Sequence, residues 1–504
     1  MGYDPNDSDL KNEKAASDFK LQIFTFALAL LIVLNSFLIA TTSNFVSIVA
    51  LILSSFVWYI YAIKCENSDK INFKVLVIVL IITRFSFSVI EPYKEDDYYR
   101  YIWDGIVSSK MENALIISPQ EVKNGMVYEG NKGRSDAIKK RQGFIDEDEY
   151  NLFDKINYPE SSSIYGPFSQ AFLALQTYAY NVYKALFKGG QSDIVSRILC
   201  LKYSLLIVEL ILLFSFYRVI IECGLNKGML MPLVLSPLII KEISNSMHID
   251  ILSCTLSVLS CLVLIQKKVF WSAIFLAACC CVKLYGLVLF PIFFLFVQKK
   301  WRFAFVFGLS LFLMYFPFVV SGGSEIWTGT KYFSHSWTMN DFFSAQLREL
   351  LYHYFDYGSY EMNLTPIGSF WVSEAKYISR YIALGFFCVF YFYLLSKYTK
   401  KEKNAHELFS MCSHALFLVY YFSPVQNPWY LIWGLPFFIL SKHKIYLFFV
   451  MFAEFYLFNF IFDATTHIYH PFQWWVIVPH MFFLIVVLKI NYINIFKHVR
   501  IHPS

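Results

Sequence analysis

The chain has 504 residues, of which 57% are hydrophobic and 20% aromatic, and its mean hydropathy is +0.48. This composition excludes a water-soluble domain of that length, because the apolar residues come in blocks close to the length that crosses a bilayer. The net charge of +6 gives no reason to expect nucleic acid as a partner, since basic residues are needed to orient spans. We therefore predict an all-α polytopic membrane protein whose constant partner is the lipid bilayer.

The amino-terminal residues 1–20 are polar and carry acids that a cleavable signal peptide normally lacks, so the first apolar block is predicted to be a retained span. No separable soluble domain interrupts the apolar blocks that follow. The sequence therefore predicts one membrane domain over 21–490, with cytoplasmic tails at 1–20 and 491–504. Its first three spans are expected near 21–40, 44–63 and 72–90.

Basic clusters in short loops mark the cytoplasmic side of a membrane protein. Such clusters occur at "QKK" (266–268), "QKKWR" (298–302), "SKYTKKEK" (396–403), "SKHK" (441–444) and the tail "KHVRIHPS". With the amino terminus also inside, the third span ends outside. We expect about 14 spans (12–14).

A helix predicted over 165–187 decides this topology, because a spanning helix there would place every basic loop outside. Its polar residues include Gln170, Gln176, Asn181 and Lys184, which favours a helix lying in the interface. This interpretation makes 92–197 one external region with juxtamembrane helices. A second external segment is expected at 321–378.

The segment "EPYKEDDYYRYIWDG" (91–105) follows the third span and is dense in charge. Asp97, Arg100, Tyr101 and Asp104 are spaced i, i+3, i+4 and i+7, so they share one face of a helix. An ion pair within an ordinary aromatic belt explains the aromatic residues, but it explains adjacent carboxylates less well. A carboxylate beside a cation is a candidate general base, so we predict that role for Asp97, with Asp96 as the fallback.

The same predicted outer face collects further polar residues that interrupt apolar blocks. Each of them alone could be a structural ion pair, but ionisable groups at membrane depth are costly and are functional candidates. Their common face favours one site. These residues are Glu242, His248, Asp250, Lys283, Gln426, Asn427, Trp429, Tyr430, His467 and His470.

Cofactors are not indicated. The ten cysteines lie mostly in or beside apolar blocks, which is typical of helix packing, and they show neither zinc-site spacing nor a disulfide framework. The acidic runs "EDD" (95–97) and "DEDE" (146–149) could hold a hard cation, but such runs in loops are more often solvated. We expect no cofactor and no obligatory metal.

The motif "EDDYYRYIWDG" resembles the acidic first-loop motif of bacterial polyprenyl-phosphate-mannose-dependent mannosyltransferases of the GT-C superfamily. Four further segments are similar in the same order, over residues 91 to about 436: "INYPESSSIYGPFSQ", "SPLIIKEISNSMHID", "CVKLYGLVLFP" and "NPWYLIWGLP". Gly166 departs from the Tyr-Pro-Pro element of the family, and Met247 stands where a glycine is expected before His248. The acidic loop also follows the third apolar block rather than the first.

The resemblance implies a GT-C-like fold and transfer of a sugar, mannose, from a polyprenyl-phosphate donor to a hydroxyl of a glycan, lipid or protein acceptor. The reaction would invert the anomeric centre at the external (periplasmic) face of a bacterial cytoplasmic membrane. Asp97 matches the catalytic acid of the family. Arg100, Lys283 and His248 are candidates for binding the donor phosphate. Supporting or sugar-binding roles fall to Asp104, Tyr165, Glu242, Asp250, Gln426, Trp429 and Tyr430, with Asp250 expected to orient His248.

The competing classes are a transporter and a flippase-like protein that only binds a lipid-linked sugar. Transporters tend to place their substrate at the bilayer midplane between internal repeats, whereas these charged residues gather at one edge and no persuasive repeat is found. Only the presence of Asp97 separates an enzyme from a binding protein. A nucleotide-sugar transferase is disfavoured because no soluble nucleotide-binding domain accompanies the spans.

Overall fold

The structure is a computed structural model. It describes residues 5–66, 68, 73–128, 132–143, 145, 147–187, 193–355, 359–364, 368–400, 403–462 and 476–486. These residues are helical or form short connections, apart from one antiparallel hairpin of β1 (Ser359–Leu364) and β2 (Gly368–Ser373). The predicted helical class is confirmed, with this hairpin as an addition.

The α-helices are, in chain order, α1 Pro5–Thr41, α2 Asn44–Cys65, α3 Phe73–Ser88, α4 Asp97–Ser109, α5 Pro119–Asn124, α6 Lys132–Gln142, α7 Glu147–Phe153, α8 Pro167–Phe187, α9 Ile194–Glu222, α10 Leu230–Val234, α11 Pro237–Ile239, α12 Asp250–Ile265, α13 Val269–Val282, α14 Leu289–Phe296, α15 Lys300–Gly322, α16 Thr328–Ser336, α17 Phe343–Tyr354, α18 Glu374–Thr399, α19 Ala405–Phe422, α20 Leu435–Leu440, α21 Lys444–Met451, α22 Asn459–Phe462 and α23 Val476–Val486. A π-helical segment covers Ile240–Asn245. The 3-10 segments are Lys227–Met229, Leu284–Val288, Gly323–Trp327, Pro428–Trp433 and Ala453–Phe458.

Five helical stretches of the described chain are long and apolar enough to cross a membrane: Lys20–Thr41, Asn44–Cys65, Ile194–Glu222, Lys300–Ser336 and Glu374–Thr399. Shorter apolar helices accompany them, such as α12 and α13. Prolines and the π-helical segment interrupt other apolar stretches. The helices within those stretches are therefore too short to be identified as spans by length. The helices indicate an integral membrane protein, and the number 14 stays a prediction.

Contacts between distant segments place the acidic motif at one end of the helix bundle. Lys202, in the first part of α9, donates to the carbonyl oxygens of Ser88 and Ile90 at 3.0 and 2.7 Å. Asn245, the last residue of the π-helical segment, donates to the carbonyl oxygen of Glu91 at 2.9 Å. We call this the acidic end, because it holds residues 91–105.

The opposite end of the bundle carries basic loops. The backbone N–H of Gly228, after α9, donates to the carbonyl oxygen of Ser68, after α2, at 2.9 Å. Gln266, after α12, donates to Glu222 at the last residue of α9 at 2.9 Å. We call this the basic end, since Lys267 and Lys268 follow immediately. Helices α9 and α12 therefore both run from the acidic end to the basic end.

Helix α8 stays at the acidic end, alongside α4. The Ser108 hydroxyl donates to Gln170 at 2.7 Å, and the Tyr178 hydroxyl donates to the carbonyl oxygen of Ser109 at 2.6 Å. Gly105 permits this approach, because a Cβ there would lie 2.7 Å from the carbonyl oxygen of Leu173. A helix that lies in the membrane interface would have to stay at one end of the bundle in this way. The boundaries of the two external regions stay predictions.

Some polar groups inside the bundle pair across helices. Arg84 of α3 donates through Nε to Glu209 of α9 at 2.9 Å, and both side chains are buried. Trp58 donates through Nε1 to the carbonyl oxygen of Pro232 at 2.8 Å. Removing one partner of such a buried ion pair is strongly destabilising, whereas replacing both partners with hydrophobic residues is often neutral. These contacts join α3 to α9 and α2 to α10.

Cysteine labelling tests which end faces outward. Ser324 is exposed at the end of α15 opposite the "QKKWR" loop, and Asn404 is exposed at the start of α19. After the ten native cysteines, all of them free, have been replaced, we expect a cysteine at position 324 to react with an impermeant thiol reagent from outside. A cysteine at position 404 should be protected. The substitution at position 404 removes the hydrogen bond by which the Asn404 side chain caps α19 at the backbone N–H of Glu407, and this loss costs about 1 kcal/mol. The reverse labelling pattern would mean that α8 spans the membrane.

Candidate functional site

Three acids stand at the amino terminus of α4, where the helix dipole favours negative charge. One carboxylate oxygen of Glu95 accepts the backbone N–H groups of Asp96 and Asp97, both at 3.0 Å. Asn157 donates to Asp96 at 2.7 Å and to Asp97 at 2.8 Å. The two adjacent aspartates are thus held by one amide, which fixes their orientation before any ligand arrives.

His248 lies between two carboxylates. Its Nε2 is 3.1 Å from an oxygen of Glu95 and 3.1 Å from an oxygen of Glu242, and Trp429 stacks on the ring with centroids 3.7 Å apart. Burial works against the charged imidazole, but the negative charges and hydrogen bonds of Glu95 and Glu242 together outweigh it and raise the pKa of His248 to about 10. His248 is therefore a buried cation that neutralises its two acidic neighbours.

The environments of Glu95 and Asp97 separate their proton affinities. Burial opposes the ionisation of Glu95, but the charge and hydrogen bond of His248, with the charge of Lys241, together outweigh it and lower the pKa of Glu95 to about 2. Burial and the negative charge of Glu95 raise the pKa of Asp97 to about 6. Burial also raises the pKa of Asp96, whose side chain is more exposed. A pair of carboxyls with divergent pKa values is typical of acid–base sites, and Asp97 is the stronger base of the two.

Lys283 forms an ion pair with Asp250. Its Nζ lies 2.8 and 3.0 Å from the two carboxylate oxygens, and Trp433 donates to the same carboxylate through Nε1 at 2.6 Å. The Lys283 ammonium also lies 4.6 Å from the ring centroid of Tyr430. The expectation that Asp250 orients His248 is therefore wrong in this structure. Asp250 positions Lys283, and Glu95 with Glu242 holds His248.

Arg100 and Asp104 form the i, i+4 ion pair that the helical spacing implies. Arg100 donates through Nε to Asp104 at 2.9 Å and through Nη1 to the carbonyl oxygen of Ser161 at 2.9 Å. Its buried Nη2 has no hydrogen-bond partner among the described residues. Asp104 is fully buried and also accepts from Ser163 and Gln170. Asp104 thus positions Arg100, whose second nitrogen remains available to a ligand.

A cavity of about 80 Å³ brings the base and the cations together. Asp97, Arg100 and Lys283 all line it, and the sequence-predicted Tyr165, Trp429 and Tyr430 complete its wall with Asn157, Tyr158, Ser161, Ser162, Ile164, Phe333, Trp337 and Asn427. We call it the polar cavity. The fold thus brings seven sequence-predicted candidates, Asn427 among them, from segments far apart in the chain to one space.

A second cavity of about 210 Å³ adjoins the polar cavity, because Ile164, Lys283, Phe333 and Tyr430 line both. We call it the apolar cavity. Its remaining wall is mainly hydrophobic, with Leu115, Gly166, Cys280, Val282, Leu284, Tyr285, Tyr315, Ile326, Trp327, Thr330, Val419, Ser423 and Trp433. Lys283 therefore stands at the junction between a charged space and a hydrophobic one.

Six of the described residues that the sequence predicted for the site do not line the polar cavity: Asp96, Asp104, Glu242, His248, Asp250 and Gln426. His248 and Glu242 are fully buried in the charge cluster beside it, so a direct contact of His248 with a donor phosphate is not what the structure shows. Gln426 donates to the carbonyl oxygen of Tyr421 at 2.8 Å and faces another, smaller cavity. His467 and His470 lie outside the described residues.

Comparison with known proteins adds one finding. A model of glycosyltransferase family 87 matches residues 207–420. The match indicates a membrane glycosyltransferase. No curated protein and no solved structure matches the chain. The matched segment includes His248, Asp250 and Lys283, whereas the acidic motif precedes it.

The departure at Met247 has a structural counterpart in this glycosyltransferase. Met247 is fully buried and adopts φ +65°, in the left-handed region that favours glycine. The segment "SMHID" therefore keeps a backbone that glycine adopts without strain. The local conformation places His248 beneath Trp429.

The sequence interpretation missed Asn157, Trp433 and Glu95 as site residues. Asn157 and Trp433 lie inside the segments that carry the resemblance, and Glu95 is the first acid of the "EDD" run. The only sequence signal that could have identified these three residues was their position close to predicted site residues. Their roles depend on contacts with Asp97, Asp250 and His248 that span many residues of chain.

Within the part of the chain that the structure describes, two groups of side chains could hold a metal ion. Ligand atoms of Glu95, Glu242 and His248 lie within 4.8 Å of one another, as do those of Glu95, Asp96 and Asp97. Carboxylate oxygens suit hard cations, but His248 already supplies a positive charge to the first group. That no metal is obligatory stays a prediction, and activity after treatment with a chelator tests it.

The second acidic run also has partners. Of the "DEDE" residues, Glu149 is buried and bonds to Arg141, with Lys110 at 3.5 Å. This residue is not simply solvated, contrary to the expectation for the run. Its ion pairs give it a structural role.

Proposed function

We propose that this glycosyltransferase moves a sugar, mannose, from a polyprenyl-phosphate donor to a hydroxyl acceptor, with inversion and with Asp97 as general base. One observation carries the proposal: Asp97, Arg100 and Lys283 line a single polar cavity that adjoins an apolar cavity. A lipid-linked sugar phosphate needs both kinds of space, one for its headgroup and one for the start of its tail.

In this mechanism the acceptor hydroxyl attacks the anomeric carbon while its proton passes to the Asp97 carboxylate. The bond between the anomeric carbon and the phosphate oxygen breaks, and the lipid phosphate leaves with the bonding electrons. A single displacement inverts the anomeric centre. Arg100 offers its unpartnered Nη2, and Lys283 a point charge, to the phosphate as negative charge develops there.

In this proposal the lipid-linked donor enters the membrane domain directly from the bilayer. Hydrophobic walls on the apolar cavity suit the first isoprenoid units, and Lys283 at the junction would bind the phosphate that follows them. The acidic end lies opposite the basic loops, which supports an active site on the external face of a bacterial cytoplasmic membrane. The acceptor, whether a glycan, a lipid or a protein, would enter through the polar cavity.

Incubation of the purified protein with a panel of polyprenyl-phosphate sugars and cell-envelope acceptors, followed by mass spectrometry, tests the proposal. We expect a mass increase of one hexose on an acceptor and release of polyprenyl phosphate. Mannose should be transferred in preference to other sugars. Donor binding without any product would instead support the flippase-like alternative.

The rate of transfer should depend on pH through Asp97. The carboxylate must be deprotonated to accept a proton, and its pKa of about 6 lies within the accessible range. We therefore expect kcat/KM to rise about tenfold per pH unit below pH 6 and to level off above it. Asp96→Asn should keep a profile of this shape. A profile that is flat or falling from pH 5 to pH 7 would contradict the role of Asp97.

A further inference from the structure

The basic end of the bundle contains a large cavity that the proposed reaction does not use. It measures about 720 Å³ and lies between the α12–α13 loop, the α14–α15 loop and Lys403. Among the described residues, five cations and no carboxylate line it: Lys267, Lys268, Lys299, Arg302 and Lys403. We call it the basic cavity.

Most of this positive charge lacks a counter-ion within the described chain. No ion pair joins Lys267, Lys299 or Arg302 to a described acid. Glu222, the acid beside Lys268, is already bonded to Arg218 at 2.8 Å and to Gln266 at 2.9 Å. Several like charges around one space repel each other unless an anion joins them.

Lys403 shows the same surplus of positive charge. Its Nζ donates to the carbonyl oxygen of Tyr398 at 2.7 Å, so its partner is neutral. Burial and the positive charge of Lys300 lower the pKa of Lys403. An anion in the basic cavity would relieve this repulsion.

Two helices begin at the basic cavity without a side-chain cap. Helix α13 starts after Lys268 and α15 starts after Lys299, and neither lysine side chain accepts a hydrogen bond from the N–H groups of the first turn. Uncapped N–H groups and the helix dipole both favour an anion at such a position. The backbone thus adds to the attraction of the side chains.

The walls of the basic cavity distinguish a lipid from a soluble anion. Leu264, Ile265, Phe296 and Val297 form hydrophobic surface below the cations. Phe270 and Trp271, which also line the cavity, are 43% and 52% exposed, as expected of aromatic side chains at a membrane interface. Positive charge alone would orient the spans, but orientation requires no cavity with a hydrophobic floor.

We propose that the basic cavity binds the phosphate headgroup of an anionic phospholipid. The headgroup would contact cations from three loops, while the acyl chains follow the hydrophobic wall into the bilayer. This site is separate from the donor site, because α12 begins at Asp250 and ends at the basic cavity, about 24 Å away for 16 residues. A bound lipid would join the starts of α13 and α15 to the segment that leads into α19.

Lipid retention measured by native mass spectrometry, together with melting in detergent, tests the proposal. The probes are phosphatidylglycerol, phosphatidylcholine and soluble glycerol phosphate. Wild-type protein should retain phosphatidylglycerol, melt at a higher temperature with it and bind it less tightly at high salt. Phosphatidylcholine should have no comparable effect. If glycerol phosphate stabilised the protein as much as phosphatidylglycerol does, the cavity would be a site for soluble anions and the proposal would fail.

Two sets of variants locate the binding. The triple variant Lys268→Gln/Lys299→Gln/Arg302→Gln removes exposed charges only, so its melting temperature without lipid should match wild type. We expect it to bind phosphatidylglycerol at least about tenfold more weakly. The control Lys442→Gln/Lys444→Gln removes two cations that do not line the cavity and should bind as wild type does. Equal binding by the triple variant, or an equal loss in the control, would overturn the assignment.

Discussion

Replacing Asp97 with Asn is expected to lower the rate of glycosyl transfer by a factor of about a hundred or more, as the loss of a general base does. The protein should nevertheless melt at the same temperature or higher. The pKa of about 6 in the folded protein exceeds the value near 3.9 of an unfolded aspartate. Ionisation of Asp97 therefore lowers the free energy of unfolding as the pH rises from the unfolded pKa to the folded pKa, and at neutral pH this cost is complete. The neutral amide removes it.

Asp96→Asn is the matched control, because Asp96 shares the Asn157 amide but is exposed and does not line the polar cavity. We expect its loss of activity to be much smaller. Turnover and thermal melting of both variants, measured side by side, check the assignment. Near-normal turnover of Asp97→Asn would remove Asp97 from the role, and a larger loss in Asp96→Asn would transfer the role to Asp96.

Replacing Lys283 with Met is expected to destabilise the protein without donor by roughly 3 kcal/mol or more, because it leaves the buried Asp250 carboxylate without its cation. Asp250 is fully buried, and the Lys283 side chain is 13% exposed. The hydrogen bond from Trp433 remains but carries no full charge. Melting of the detergent-solubilised variant, with and without polyprenyl-phosphate mannose, gives the measurement. An unchanged melting temperature would show that Asp250 does not depend on Lys283.

The double variant Lys283→Met/Asp250→Asn separates the structural role of Lys283 from a role in catalysis. Removing both charges should restore most of the stability, since no isolated charge is left in the interior. If Lys283 also binds the donor phosphate, donor binding and turnover should stay low in the double variant. Recovery of turnover together with stability would limit Lys283 to the ion pair with Asp250.

The helical class and the candidate carboxylate could be predicted because both depend on local order along the chain. Apolar blocks predicted the membrane helices, and helical spacing placed Arg100 on one face with Asp97 and Asp104, of which the structure pairs it with Asp104. Lys283 was recognised as a costly buried cation from its apolar flanks alone. Each of these inferences uses residues that lie within a few helical turns of one another.

Partner choice could not be predicted in the same way. The sequence does not decide between Asp250 and Glu242 as the partner of Lys283, yet the fold pairs Lys283 with Asp250 and brings Glu242 to His248. Glu95 reaches the same imidazole across 153 positions of chain. Packing decides such contacts. The charges alone would allow several pairings, and the fold selects one of them through the way in which helix ends meet at the acidic end.

The sequence by itself determined that this protein is helical and apolar, that its basic loops separate from its acidic motif, and that Asp97 leads the list of candidate bases. These properties follow from composition and helical spacing, which need no knowledge of distant contacts. Only the tertiary structure decided which carboxylate holds which cation, and that His248 supports Glu95 rather than lining the polar cavity. The reason is physical: the strength of an ion pair depends on distance and burial, and the fold sets both.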